Sequence, residues 1–116
     1  MYKNLSGKKL LVLGSDYADC IIVETAQSLG VYVIAADGKT PGTNTPAKLA
    51  ANEARQIDYS DTDALESMCR AAAIDGVLAS FSEIRVLYAC LLADRLGLPF
   101  YAAREQLEIT GNKRMF

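Results

Sequence analysis

The feature that most constrains the fold is a repeated alternation of short apolar runs with stretches of helical period. Lys9–Leu13 is a five-residue apolar run ending at Gly14, with the length and composition of a buried strand. A polar loop follows, Gly14-Ser15-Asp16-Tyr17. Apolar residues then recur at Ala18, Ile22, Ala26 and Leu29, and Gly30 supplies a helix stop. Val31–Ala36 is β-branched and short, so it reads as a second strand, ending at Asp37. Gly38 to Pro46 is rich in Gly, Pro, Thr and Asn and must be loop. A short helix is expected within Ala47–Ala54 and a third strand at Arg55–Asp58. Ser60, with Asp63 three residues later, reads as the cap of a helix whose buried stripe is Leu65, Met68, Cys69 and Ala72. Gly76–Ser80 reads as a fourth strand. Phe81-Ser82-Glu83 then turns into a helix carrying Ile84, Leu87 and Leu91, ended by Gly97 and Pro99. Leu98–Ala102 is expected to be a fifth strand, followed by a helical turn or two through Ile109 and a break at Thr110-Gly111-Asn112.

Strands alternating with helices at this spacing imply parallel β-α-β units with right-handed crossovers. The expected fold is therefore α/β: a Rossmann-like, three-layer α/β/α domain on a mostly parallel five-stranded sheet of order 3-2-1-4-5. Chain direction reverses between strands 1 and 4. Open α/β sheets bind ligands at that switch point, beyond the carboxyl ends of the strands. Two loops meet there, residues 14–19 and residues 80–83.

Composition narrows the function classes. The chain has 116 residues, a formal charge of −2 and no histidine, so a Ser-His or Cys-His catalytic arrangement is ruled out within it. Basic residues are scattered, with no stripe interleaved with aromatics, and no nucleic-acid partner is expected. Apolar runs such as Leu10 to Leu13 are too short to span a bilayer, and no signal peptide is read at the N-terminus, so no membrane partner is expected. Cys20, Cys69 and Cys90 are an odd number without CxxC spacing. They fit reduced packing cysteines of a cytoplasmic protein better than a disulfide framework or zinc site.

The loop GSDYAD opens a helix, where free amides and the helix dipole suit an anionic group. Ser15, Asp16 and Asp19 could equally serve only as helix caps. A dinucleotide site is disfavoured, because GxGxxG is absent and side chains at residues 15–19 would hinder a pyrophosphate. Asp37 stands where a ribose-binding acid would stand, but acids are common at strand ends. In the second loop Glu83 could bind an amine or hydroxyl, or could stabilise the helix it opens.

The order KKLLVLGSDYAD (8–19), QSLGVYVIAADGKTPG (27–42), RQIDYSDTDAL (55–65), DGVLASFSE (75–83) and LGLPFYAAREQLEITGNKRMF (96–116) resembles the N-terminal, pre-ATP-grasp domain of ATP-grasp ligases. The layout is similar to that of glycinamide-ribonucleotide-type ligases and formyltransferases, biotin carboxylases and the large subunit of carbamoyl phosphate synthase. The closing Thr110-Gly111-Asn112-Lys113 is the more specific part; it is similar to a TGDK-like segment, with Asn112 in place of the commoner Asp. The resemblance implies that Lys113 reaches bound ATP. It implies that Ser15, Asp16, Tyr17 and Glu83 contact a small-molecule acceptor substrate. It implies ATP and Mg as cofactors, held mainly by central and C-terminal parts that this sequence lacks. Residues 1–110 would be the pre-ATP-grasp domain and 111–116 the start of the missing region, so the sequence is expected to be a piece of a longer ligase, inactive alone. A homo-oligomer is compatible with this reading. Two alternatives stay open: a stand-alone nucleotide- or NAD-binding Rossmann module, and a non-catalytic interaction domain.

Overall fold

The computed structural model describes residues 5–40, 45–79 and 82–98. They form four strands and four helices in alternation: β1 Lys9–Leu13, α1 Tyr17–Ser28, β2 Tyr32–Asp37, α2 Pro46–Ala50, β3 Glu53–Gln56, α3 Thr62–Ala72, β4 Gly76–Leu78 and α4 Glu83–Leu96. Every strand pairing is parallel, and the order is 3-2-1-4. Among the described residues the sheet has four strands, in the expected order for strands 1 to 4. Of the segment expected to hold the fifth, only Leu98 is described, and its N–H caps α4 by donating to the Ala93 carbonyl; residues 99–102 lie outside the described residues.

Alternation along β1 and β2 builds the two cores. Leu11 is in register with Ile34, and Leu13 with Ala36. These four face one side of the sheet, where they meet Leu65 and Cys69 of α3 and Ala89 and Leu92 of α4. Val12 and Val33 face the other side, against Val23 and Ala26 of α1 and Ala47 of α2. Strands covered on both faces must be apolar at every position, and β1 and β2 nearly are. β3, with sequence EARQ, is an edge strand, and its polar residues suit a border facing water.

Boundaries differ from expectation for identifiable reasons. β3 begins two residues early because Asn52 starts the ladder: its side-chain carbonyl accepts the Val33 N–H at 2.9 Å and its own N–H donates to the Val33 carbonyl. The cap of α3 is Asp61, whose carboxylate accepts the Ala64 N–H at 3.2 Å; Ser60 is instead tied to Asp58. Removal of that cap, Asp61→Ala, should cost about 1 kcal/mol in urea denaturation, while Ser60→Ala should cost clearly less. An equal loss from both would return the cap to Ser60. On α4 the buried residues are Ala89, Cys90, Leu92 and Ala93, whereas Ile84 is 52% exposed. The helix is apolar around most of its circumference, so periodicity does not single out a face.

Candidate functional site

Two buried ion pairs hold the loops at the carboxyl ends of β1, β2 and β4. The first centres on Asp37, the last residue of β2. Lys48 sits on α2 with its side chain 0% exposed and reaches back to the end of the strand. Its ammonium lies 2.7 Å from Asp37 Oδ1, donates to the Asp37 carbonyl at 3.1 Å and also donates to the Lys39 carbonyl. Ser15 is buried and donates its hydroxyl to Asp37 Oδ2, while the Lys39 N–H donates to Oδ1 at 2.9 Å. Burial alone would raise the pKa of this carboxyl. Hydrogen bonds from Lys48, Ser15 and the Lys39 amide, together with the Lys48 charge, outweigh burial and hold it below the ordinary 3.8. The Ala47 N–H donates to the Ser15 carbonyl at 3.0 Å, closing α2 onto the first loop.

The second pair joins loops 66 residues apart. Asp19, in the first turn of α1, is 0% exposed; its Oδ2 accepts from Arg85 Nη1 at 3.2 Å and from the Asp16 N–H at 3.1 Å. The same Arg85 nitrogen donates to the Leu13 carbonyl at 3.2 Å. Among the described residues, Asp19 Oδ1 has no hydrogen-bond partner. Both side chains pass directly over Gly14. With φ at +154°, this residue occupies a conformation that side-chain-bearing residues rarely adopt, and a Cβ there would collide with the Arg85 guanidinium and the Asp19 carboxylate.

Above these pairs opens a cleft of about 420 Å³, lined by Asp16, Asp37, Gly38, Lys39, Asp58, Tyr59, Ser82 and Arg85. It lies at the switch point between β1 and β4. Lys39 and Asp16 form a half-exposed pair across it at 3.0 Å, and the bond to Asp16 raises the Lys39 pKa. Solvent leaves such a pair little net energy. The Asp58 carboxyl is lowered by bonds from the Ser60 hydroxyl and N–H. Tyr59, at the cleft wall, packs against Tyr88 of α4 with ring centroids 5.4 Å apart.

The residues expected at the site separate in space. Asp16 lines the cleft. Ser15 lies beneath it, engaged by Asp37. Tyr17 is 80% exposed on α1, outside the cleft lining, and Glu83 is exposed as the first residue of α4, beside the lining Ser82. Lys113 and the boundary at 110 and 111 lie outside the described residues. Lys39, Lys48, Asp58 and Arg85 had not been singled out. A lysine inside the otherwise apolar helix PAKLA was a readable sign of a buried pair. The Arg85–Asp19 contact carried no local signal. No disulfide joins the cysteines, and burial pushes the Cys69 thiol up to about 11, which suits packing rather than reactivity. Burial, then Glu24 and Asp19, raise Cys20 as well. Among the described residues no helix is long and apolar enough to cross a membrane. Nor do three His, Cys, Asp or Glu side chains among the described residues come together to hold a metal.

An open parallel sheet of order 3-2-1-4 with a polar cleft at its switch point defines a Rossmann-like α/β domain. The family model of the ATP-grasp N-terminal domain matches residues 23–100, and the chain belongs to that family. No curated protein matches it by sequence. Solved structures share the fold. An L-amino acid ligase from Bacillus licheniformis superposes with a TM-score of 0.71 at 19% identity, over 89% of this chain and 27% of that one. An N5-carboxyaminoimidazole synthetase from Staphylococcus aureus, complexed with ADP, gives 0.65 at 20% identity, over 91% and 27%. A saccharopine dehydrogenase from Saccharomyces cerevisiae gives 0.64 at 23% identity, over 87% and 24%. The chain thus spans about a quarter of the length of these relatives. The dehydrogenase shows that fold likeness alone does not separate ligase from oxidoreductase.

Proposed function

We propose that this chain is the substrate-side domain of an ATP-dependent carboxylate–amine ligase and forms the acceptor end of an active site completed by other parts of such an enzyme. The observation that carries this reading is the cleft at the switch point, lined from both the first loop and the start of α4. Its charges suit an acceptor amine. Asp16, Asp37 and Asp58 face Lys39 and Arg85, with Asp19 and Lys48 behind them: four carboxylates against three cations. In this reading Asp16, Tyr17 and Glu83 approach the acceptor, Ser15 supports the loop from below, and Lys113 approaches ATP. ATP and Mg are held mainly outside this domain, so the isolated chain turns over no ATP.

The likeness to a dehydrogenase favours one second reading, a nicotinamide-binding module. Asp37 argues against it. Both of its carboxylate oxygens are already engaged, by Ser15 on one side and by Lys48 and the Lys39 amide on the other, so a ribose diol would have to displace them.

Glu83 provides the test. In a ligase containing this domain, Glu83→Ala should lower acceptor kcat/KM roughly ten- to a hundredfold, the loss of a charged hydrogen bond, while the KM for ATP changes little. If Glu83 only stabilises α4, the melting temperature drops slightly and acceptor kinetics are unchanged; that outcome removes Glu83 from the site.

A further inference from the structure

The switch point of an open α/β sheet offers an anion a ready seat, with free amides at a helix N-terminus and a nearby cation. In this chain the seat is already taken. Asp19 places its carboxylate against the Asp16 N–H and the Arg85 guanidinium, directly over Gly14. Asp16 and Asp19 form a capping box, and Asp19 accepts the Asp16 N–H as its half of it. Capping accounts neither for the burial of this carboxylate nor for its contact with Arg85. A capping carboxylate works at the surface, where water satisfies its second oxygen. Asp19 is completely buried, and its Oδ1 has no partner among the described residues. A polar atom left in that state is costly, and the arrangement persists only if the carboxylate does something an exposed cap would not.

We propose that Asp19 is a built-in stand-in for a ligand anion and a specificity-determining residue. It fills the oxyanion seat of the first loop, neutralises Arg85, and so excludes phosphate-bearing groups from this end of the cleft. A second anion at the seat would meet the Asp19 charge at close range in a poorly hydrated site. Ligands are thereby confined to the outer cleft beside Asp16 and Asp58 and approach the first loop through a neutral or cationic group. This goes beyond the ligase reading and does not depend on it.

Inorganic phosphate tests the proposal on the 116-residue chain. In the natural sequence, phosphate should leave the melting temperature where ionic-strength-matched chloride leaves it, and should not shift the amide resonances of residues 14–17. Asp19→Ser keeps a capping oxygen but removes the charge and opens the seat. Phosphate should then raise the melting temperature saturably and shift residues 14–17, with affinity at least about tenfold above that of the natural chain. The gain should vanish in Asp19→Ser/Arg85→Gln. Saturable phosphate binding at the first loop of the natural chain would overturn the proposal, as would a folded Asp19→Ser chain with no gain. A variant that stays unfolded even in high phosphate would overturn it too, because an anion able to take the seat should restore the partner that Arg85 has lost.

Discussion

Lys48→Met destabilises the chain by about 3–5 kcal/mol, the usual consequence of removing one member of a buried ion pair. For a domain of this size the melting temperature falls by more than about 12 °C. The loss is large because Lys48 is wholly buried and Asp37 only slightly exposed at the cleft floor, leaving the carboxylate little solvent to replace the ammonium. The end of β2 and the turn after it also come loose from α2, since the same ammonium ties the carbonyls of Asp37 and Lys39 to that helix. Asp37→Asn/Lys48→Met should recover more than half of the loss, because it removes the orphaned charge as well. The effect carries a pH signature. Asp37 is held below 3.8 in the folded chain, so its contribution is fully present above the unfolded pKa and is lost as pH falls through the lower folded value. The gap between natural and variant chains should therefore be constant near neutrality and narrow below about pH 4. Urea denaturation across that range measures it, and a loss under about 1 kcal/mol at pH 7 would show the pair to be solvated.

Gly14→Ala should be nearly as damaging, at about 3 kcal/mol or more. Part is backbone strain, because alanine is unfavourable at this φ, an effect of order 1–3 kcal/mol. The rest is steric: the new methyl occupies the space of the Arg85–Asp19 contact, and one side chain must leave. The two parts can be separated. In Gly14→Ala/Arg85→Ala the obstructing guanidinium is already gone, so the double variant should lose clearly less than the sum of the two single losses. Strict additivity would show that the Arg85 side chain is not what the new methyl displaces.

Much of the fold was legible because it rests on local patterns. The apolar runs of β1 and β2, the glycine stops at residues 30 and 97 and the stripe of α3 all follow from period and punctuation. The 3-2-1-4 order is one of the doubly wound arrangements that right-handed crossovers allow, and it sets the position of the cleft. What was not legible depends on partners distant in sequence. The start of β3 is set by Asn52 bonding to Val33, 19 residues away. The role of Asp19 is set by Arg85, and that of Ser15 by Asp37. From composition the first loop reads as ligand-facing, yet two of its polar side chains turn inward; no periodicity distinguishes a serine facing solvent from one facing a buried carboxylate.

The split between inward and outward polar residues governs how such a domain could diversify. Ser15, Asp19 and Lys48 are structural members of the core that happen to stand beneath a site, so a change at any of them is taxed in stability before it can alter what binds. Asp16, Lys39 and Asp58 stand at the rim in water and contribute little to holding the chain together. Under the proposed ligase reading, variation of acceptor preference is easier through the rim than through the floor. A mutational scan scored separately for folding and for binding should divide this cleft into those two populations, with Arg85, buried on one side and open on the other, belonging to both.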